Sequence, residues 1–272
     1  MASAVLAVVH PAAAAQVGTG KIKIMSWDKL QISQHKKAAE ILGDIIKQIA
    51  KFIKNNHGIT DTAIRQFIKE QYQKYHLKSD KQKSIVAFSK DTANVHYYAD
   101  KPRQLQDGDL IMIDIWARLD EKDAPFADIT WMLYYGEKPS AEHDAAFKMV
   151  AQARDKAIKY LQSNLKNKTV PLGKEIDAVV RNYLASLGRG DRFLHGTGHS
   201  LGLTSPHGNR TRINRKGRSL LPLNIGYTIE PGIYFKNKFG ARSEIDFYID
   251  ENYKLIITTI CQKQIIKIWK KN

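Results

Sequence analysis

Five side chains able to hold divalent cations recur along this 272-residue chain: Asp114 in LIMIDIWARL, Asp128 in FADITWML, His199 in HGTGHSLG, Glu230 in YTIEPGIYF and Glu244 in FGARSEIDFYI. Brought together, four carboxylates would repel one another and raise each other's pKa values unless cations compensated them. Two divalent ions carry the charge that four carboxylates match, and one imidazole completes the set. Asp114 and Asp128 stand in runs rich in Ile, Leu, Trp and Tyr, which predict neighbouring strands. A carboxylate left without a partner in such a strand would be costly to bury. A single Asp ordinarily serves a turn or a cap; five donors in five such strings are better explained by a shared site.

These strings resemble the dinuclear metallopeptidases of the pita-bread fold, the group that includes methionine aminopeptidases, Xaa-Pro aminopeptidases and prolidases. The resemblance covers about residues 30 to 262. Within it, TGHS, TIEPGIY and GARSE are more similar to the Xaa-Pro peptidase and prolidase branch, through Pro231 and Gly232 after Glu230 and Arg242 before Glu244. The fold implied is α+β, a pseudo-twofold antiparallel sheet covered by helices. The resemblance implies that Asp114 and Glu230 belong mainly to different metals, that Asp128 and Glu244 bridge them, and that His199 completes one. A bridging water would then be the nucleophile, with no need for Ser or Cys.

The same resemblance implies further roles. Glu230 shuttles a proton from the water to the leaving nitrogen. His96, in NVHYYAD, matches a substrate-contacting histidine. His207, in TSPHGN, matches a second one that stabilises the developing oxyanion. Arg242 positions substrate or a ligand carboxylate through charge-assisted hydrogen bonds, and His195 orients a ligand from behind. His96, His207 and Glu230 are therefore the expected catalytic residues, and His96, His207 and Arg242 the expected substrate contacts. An oxygen-rich site with one imidazole favours Mn, Co or Fe, with Zn also admissible. Two spacings depart from the family pattern. Asp114 to Asp128 is longer than usual, which the charged, Pro-containing ARLDEKDAPFA accounts for as a lengthened hairpin connection. His199 to His207 is also longer, which puts a one-residue insertion between them.

The elements that must position these residues follow from periodicity. Residues 28 to 56 and GITDTAIRQFIKEQYQKYHL carry apolar residues at helical spacing, the second with Thr60 as its cap. SIVAFS reads as a strand leading towards His96. PSAEHDAAFKMVAQARDKAIKYLQSNL predicts a long helix capped by Ser140, and GKEIDAVVRNYLASLG a shorter one stopped by Gly188. Residues 205 to 223, rich in Arg, Asn and Gly, read as a rim loop. Strands return at IGYTIEPGIYF and ARSEIDFYI, and LIITTICQ reads as a tail strand that packs Cys261.

Composition fits an enzyme with a sizeable core: 43% hydrophobic residues and no run of the roughly 18 apolar residues that a membrane span needs. The single cysteine excludes an intrachain disulfide framework and is consistent with a cytoplasmic setting. The net charge of +16 is spread over helical surfaces without a recognised nucleic-acid motif, so no specific nucleic-acid partner is expected. Residues 1–25 lack a positive n-region and are expected to be a flexible leader rather than an export signal; residues 26–272 form one catalytic domain. That is expected to leave no room for the N-terminal domain that typical Xaa-Pro peptidases carry, so either a more open active site or one closed by a homodimer partner is expected. The expected function is a metal-dependent exopeptidase acting on peptides, an Xaa-Pro aminopeptidase or Xaa-Pro dipeptidase. The alternatives are a methionine aminopeptidase-like activity and a non-catalytic pita-bread binding protein.

Overall fold

A computed structural model describes residues 26–81, 84–98 and 101–269; the leader lies outside them. In chain order the described residues form α1 (Lys29–Asn55), α2 (Asp61–Lys74), β1 (Leu77–Lys78), β2 (Ile85–Phe88), β3 (Leu110–Leu119) and β4 (Ala127–Tyr135). The second half contributes α3 (Ala141–Lys166), α4 (Gly173–Ser186), β5 (Gly198–Leu201), β6 (His207–Ile213), β7 (Gly226–Ile229), β8 (Gly232–Phe235), β9 (Phe239–Arg242), β10 (Ile245–Ile249), β11 (Leu255–Ile257) and β12 (Ile266–Ile268). The expected caps are in place, because a side-chain oxygen satisfies an N–H that the first turn leaves unpaired. Thr60 accepts from Ala63 N–H and Ser140 from His143 N–H. Gly188 follows α4 with φ +66°, a conformation a side chain would strain.

The expected antiparallel sheet is two five-stranded sheets with a separate β8–β9 hairpin. In the first, β3 pairs with β4 on one edge and with β1 and β2 on the other, and β12 adds to β4 in parallel. The second runs β11-β10-β7-β5-β6. Alternation along β3 decides what faces where. Ile111, Ile113 and Ile115 pack with Leu42, Ile45 and Ile49 of α1 in one core. Leu110, Met112 and Trp116 point the other way, into the core shared with α3, α4 and the second sheet. Burying each such side chain contributes about 2 kcal/mol, and the α1 stripe thereby fixes which face of β3 is turned inward.

Two expectations about local structure are corrected. Residues 205–223 are not all loop: β6 pairs with β5 as an edge strand, burying Thr211 and Ile213 while Arg212 faces out of the core. Its polar and Gly content masked the strand because an edge strand is buried on alternate positions only. The tail strand is shorter than LIITTICQ, since only Leu255–Ile257 pairs with β10. Beyond it the Thr258 N–H still reaches Asp246 O, but Thr259 Oγ1 takes the Asp246 N–H in place of a ladder carbonyl. Cys261 sits half-buried outside the strand. No helix among the described residues is long and apolar enough to cross a membrane.

Candidate metal centre

On β3 and β4, Asp114 lies opposite Thr130 and Trp116 opposite Asp128. The two aspartates are therefore diagonal neighbours on one face of the hairpin, close enough for their carboxylates to share a site. The register runs unbroken from Leu110–Tyr134 to Ala117–Ala127. The extra residues between the aspartates sit in the connection at the hairpin tip and leave the inward positions unchanged. In the second sheet, Ile229 pairs with Ile245; Glu230 and Glu244 flank that pair, one leaving β7 and the other entering β10. Each half thus delivers two carboxylates to the same cleft.

The cleft, about 350 Å³, is lined by Asp114, Asp128, His199, Glu230 and Glu244 together with His96, His195, His207, Arg212 and Arg242. Every site residue expected from the sequence is present in it. Asp128, His199 and Glu244 offer ligand atoms that all lie within 4.8 Å of one another, a spacing suited to one cation. Asp114 and Glu230 stand outside that tight group. Glu230 Oε1 is 3.4 Å from His199 Nε2, while Asp114 Oδ2 accepts from the Arg242 guanidinium.

The donor set fits a cation on three grounds. Asp114 Oδ1 and Asp128 Oδ1 are buried with no hydrogen-bond partner among the described residues, which is unfavourable unless an ion satisfies them. His199 Nδ1 is 3.1 Å from Ser200 O. A carbonyl only accepts, so Nδ1 carries the proton and Nε2 presents its lone pair to the cleft. Burial also lowers the His199 pKa to about 4, keeping the ring neutral as a ligand must be. Finally, burial, reinforced by neighbouring carboxylates, raises Asp128 and Glu244 well above the usual carboxylate range. Burial raises Asp114 and Glu230 as well, with Arg242 opposing. Such mutual repulsion is what bound cations relieve.

A hydrogen-bonded scaffold surrounds these groups. Arg242, buried, donates through Nε to Thr130 Oγ1 at 2.9 Å, and Thr130 passes its own proton to Glu244 Oε2 at 2.7 Å. The Arg242 Nη1 reaches Tyr234 Oη at 3.3 Å. His195 donates from Nδ1 to Gly196 O and so accepts at Nε2 from the Tyr234 hydroxyl, 2.8 Å in each case; burial and the Arg242 charge hold its pKa down to about 3. His96 and His207 are exposed at the cleft wall, with the His207 and His199 rings 4.4 Å apart between centroids.

Several positioning residues were not identified from the sequence. Asp177 of α4 accepts from Thr197 N–H at 3.0 Å and Thr197 Oγ1 at 2.9 Å, anchoring the strand that carries His199. Arg181, one turn on, donates to His195 O and pairs with Asp177. Asp246 accepts from Asp128 N–H. Asp246 had a legible signal, a second acid two positions after Glu244 on a strand, whereas Asp177 and Arg181 read as an ordinary helical i,i+4 pair.

Comparison with known proteins agrees with this geometry. Residues 33–251 match the profile of metallopeptidase family M24. An uncharacterized peptidase of Bacillus subtilis, YqhT, is 28% identical over 243 residues, covering 89% of this chain and 64% of its own length. Among solved structures, a prolidase from Thermococcus sibiricus superposes with a TM-score of 0.77 at 27% identity, covering 88% of this chain and 61% of the other. An X-Pro aminopeptidase from Thermotoga maritima gives a TM-score of 0.77 at 29% identity, with 90% and 64% covered. The chain spans about 60% of the length of the relatives it matches. With the family profile covering most of the chain and the carboxylate and imidazole groups gathered in one cleft, this protein is a member of metallopeptidase family M24 with the pita-bread fold.

Proposed function

We propose that this chain is a two-metal exopeptidase of the Xaa-Pro type, taking peptides whose second residue is proline. The observation that carries the reading is the pair of buried oxygens, Asp114 Oδ1 and Asp128 Oδ1, that have no hydrogen-bond partner among the described residues and belong to side chains lining the same cleft as His199. Asp114, Asp128, His199, Glu230 and Glu244 would hold two divalent cations, with Mn, Co or Fe favoured by the oxygen-rich donors. Such ions, when bound, lower the pKa of a shared water and stabilise an oxyanion. Glu230, hydrogen-bonded by Thr228 Oγ1 at 3.3 Å, is placed to carry a proton to the leaving nitrogen. His96 and His207 contact the substrate from the exposed wall, and His207 faces the developing oxyanion. Arg242, whose donors go to Thr130, Tyr234, Val95 O and Asp114, acts by holding Asp114 in place.

Arg212 favours short substrates. It lines the cleft and pairs in register with His199, and its side chain makes no hydrogen bond or ion pair among the described residues. A free guanidinium at that position suits the terminal carboxylate of a dipeptide. A cytoplasmic setting accords with the single cysteine, Cys261, and closure of the cleft by a second copy accords with the wall that His96 and His207 leave exposed. The test is hydrolysis by the metal-stripped protein with Mn, Co or Zn restored in turn, using Xaa-Pro dipeptides, a longer Xaa-Pro peptide and Met-Ala-Ser. Metal-dependent cleavage before proline supports the reading. Cleavage of the methionyl peptide alone moves the chain to the methionine aminopeptidase side, and no turnover of any of them overturns the proposal.

A further inference from the structure

Glu244 occupies the corner between β9 and β10, where the Ser243 N–H donates to Pro231 O at 3.2 Å. A buried cation adds the side-chain tie at that corner. Arg154 of α3 is 0% exposed, and its Nη1 donates to Ser243 Oγ at 2.6 Å and to Gln262 O at 2.9 Å. Its Nε and Nη2 donate to Asp155 Oδ1 at 3.0 and 2.7 Å. Four of the five guanidinium protons are therefore placed on named acceptors. Removing a guanidinium from water is costly unless its donors are satisfied in this way.

Ser243, also 0% exposed, is the residue before Glu244. Gln262 continues the chain of contacts: its Oε1 accepts from Met132 N–H at 2.9 Å and its Nε2 donates to Met132 O at 2.6 Å. Met132 lies on β4, two residues beyond Thr130, which holds the Glu244 carboxylate. One guanidinium thus ties α3 to the Glu244 corner and, through Gln262, to the strand bearing Asp128. We propose that Arg154 is a positioning residue that sets the Glu244 carboxylate against Asp128 and thereby sets the affinity of the cleft for its second cation. This rests on the two-metal reading above.

Manganese alone is the probe, titrated by calorimetry into metal-stripped protein: wild type, Ser243→Ala, Arg154→Lys and Arg154→Met. Ser243→Ala keeps Arg154 and its bond to Gln262 and removes the acceptor of one Nη1 proton, so the fold is expected to be retained while the corner loses its side-chain tie. The expected result is two equivalents bound by wild type and, for Ser243→Ala, a second equivalent weakened about 10-fold or more, with the metal-free Tm within about 4 °C of wild type. Arg154→Lys keeps the charge but loses the fork and is expected to weaken the second equivalent as well. Two equivalents bound by Ser243→Ala and Arg154→Lys with wild-type affinities overturn the positioning role while leaving the two-metal reading intact. Fewer than two equivalents on wild type overturn both. If Arg154→Met does not fold, Ser243→Ala and Arg154→Lys decide.

Discussion

The backbone N–H of Asp128 donates to Asp246 Oδ2 across 2.9 Å, joining β4 of one sheet to β10 of the other behind the candidate metal centre. Both side chains are buried. Asp246→Ala leaves that N–H unpaired and is expected to destabilise the metal-free protein by about 2 kcal/mol. Asp246→Asn keeps a carbonyl oxygen to accept the bond and is expected to stay within about 1 kcal/mol of wild type. Urea unfolding of both variants measures the difference, and equal midpoints would remove the seam from the account.

Asp128→Asn exchanges an anionic donor for a neutral one at the centre of the Asp128, His199 and Glu244 group. Wild-type protein at a free Mn concentration 100 times its Kd is expected to gain about 2.7 kcal/mol, read as a rise in Tm; the variant is expected to lose most of that gain together with hydrolysis. Full activity in Asp128→Asn would refute its role as a ligand.

His35 gives the fold a pH dependence away from the cleft. It is fully buried, donating from Nδ1 to Phe126 O at 2.9 Å and accepting at Nε2 from Thr258 Oγ1 at 2.7 Å. Burial lowers its pKa from 6.5 to about 4. Between those values the unfolded chain takes up a proton that the folded protein refuses. Its contribution is thus complete above about pH 6.5 and is lost as pH falls, at about 1.4 kcal/mol per pH unit, levelling near pH 4. Chemical denaturation of wild type and His35→Gln from pH 7.5 to 4.5 checks this: the variant is expected to show the shallower decline.

Gly198 precedes His199 where β5 passes close to Thr228 of β7. A Cβ there would lie 2.1 Å from the carbonyl oxygen of Thr228, a backbone atom that cannot step aside. Gly198→Ala is expected to cost about 3 kcal/mol and to lower metal affinity by displacing His199. Thermal unfolding and Mn titration of the variant test both effects.

Arg212→Ala is expected to raise KM for an Xaa-Pro dipeptide at least 10-fold with kcat nearly unchanged, because it removes a carboxylate contact made equally in ground and transition states. A longer Xaa-Pro peptide is expected to be unaffected. Equal losses on both substrates would place Arg212 in the scaffold rather than at the substrate's end.

Asp114, Asp128, His199, Glu230 and Glu244 were legible because each lies in a short string whose local pattern betrays a buried polar group: apolar alternation around the aspartates, Pro-Gly after Glu230, Gly-rich sequence before His199. Helix caps such as Thr60 and Ser140 were legible for the same reason, since a cap acts within three residues. The sequence by itself thus determined the chemistry on offer and the order of most elements. Tertiary structure alone decided how those groups are held. Arg154 meets Ser243 across 89 positions, Asp128 meets Asp246 across 118, and Thr130 meets Glu244 across 114. No periodicity records such pairings, because they depend on two sheets docking through cores built from side chains far apart in the chain. The β6 strand stayed hidden on the same ground: an edge strand is defined by the neighbour it pairs with, and that neighbour, β5, is brought to it by the turn at residues 202–206 and the packing of Ile213.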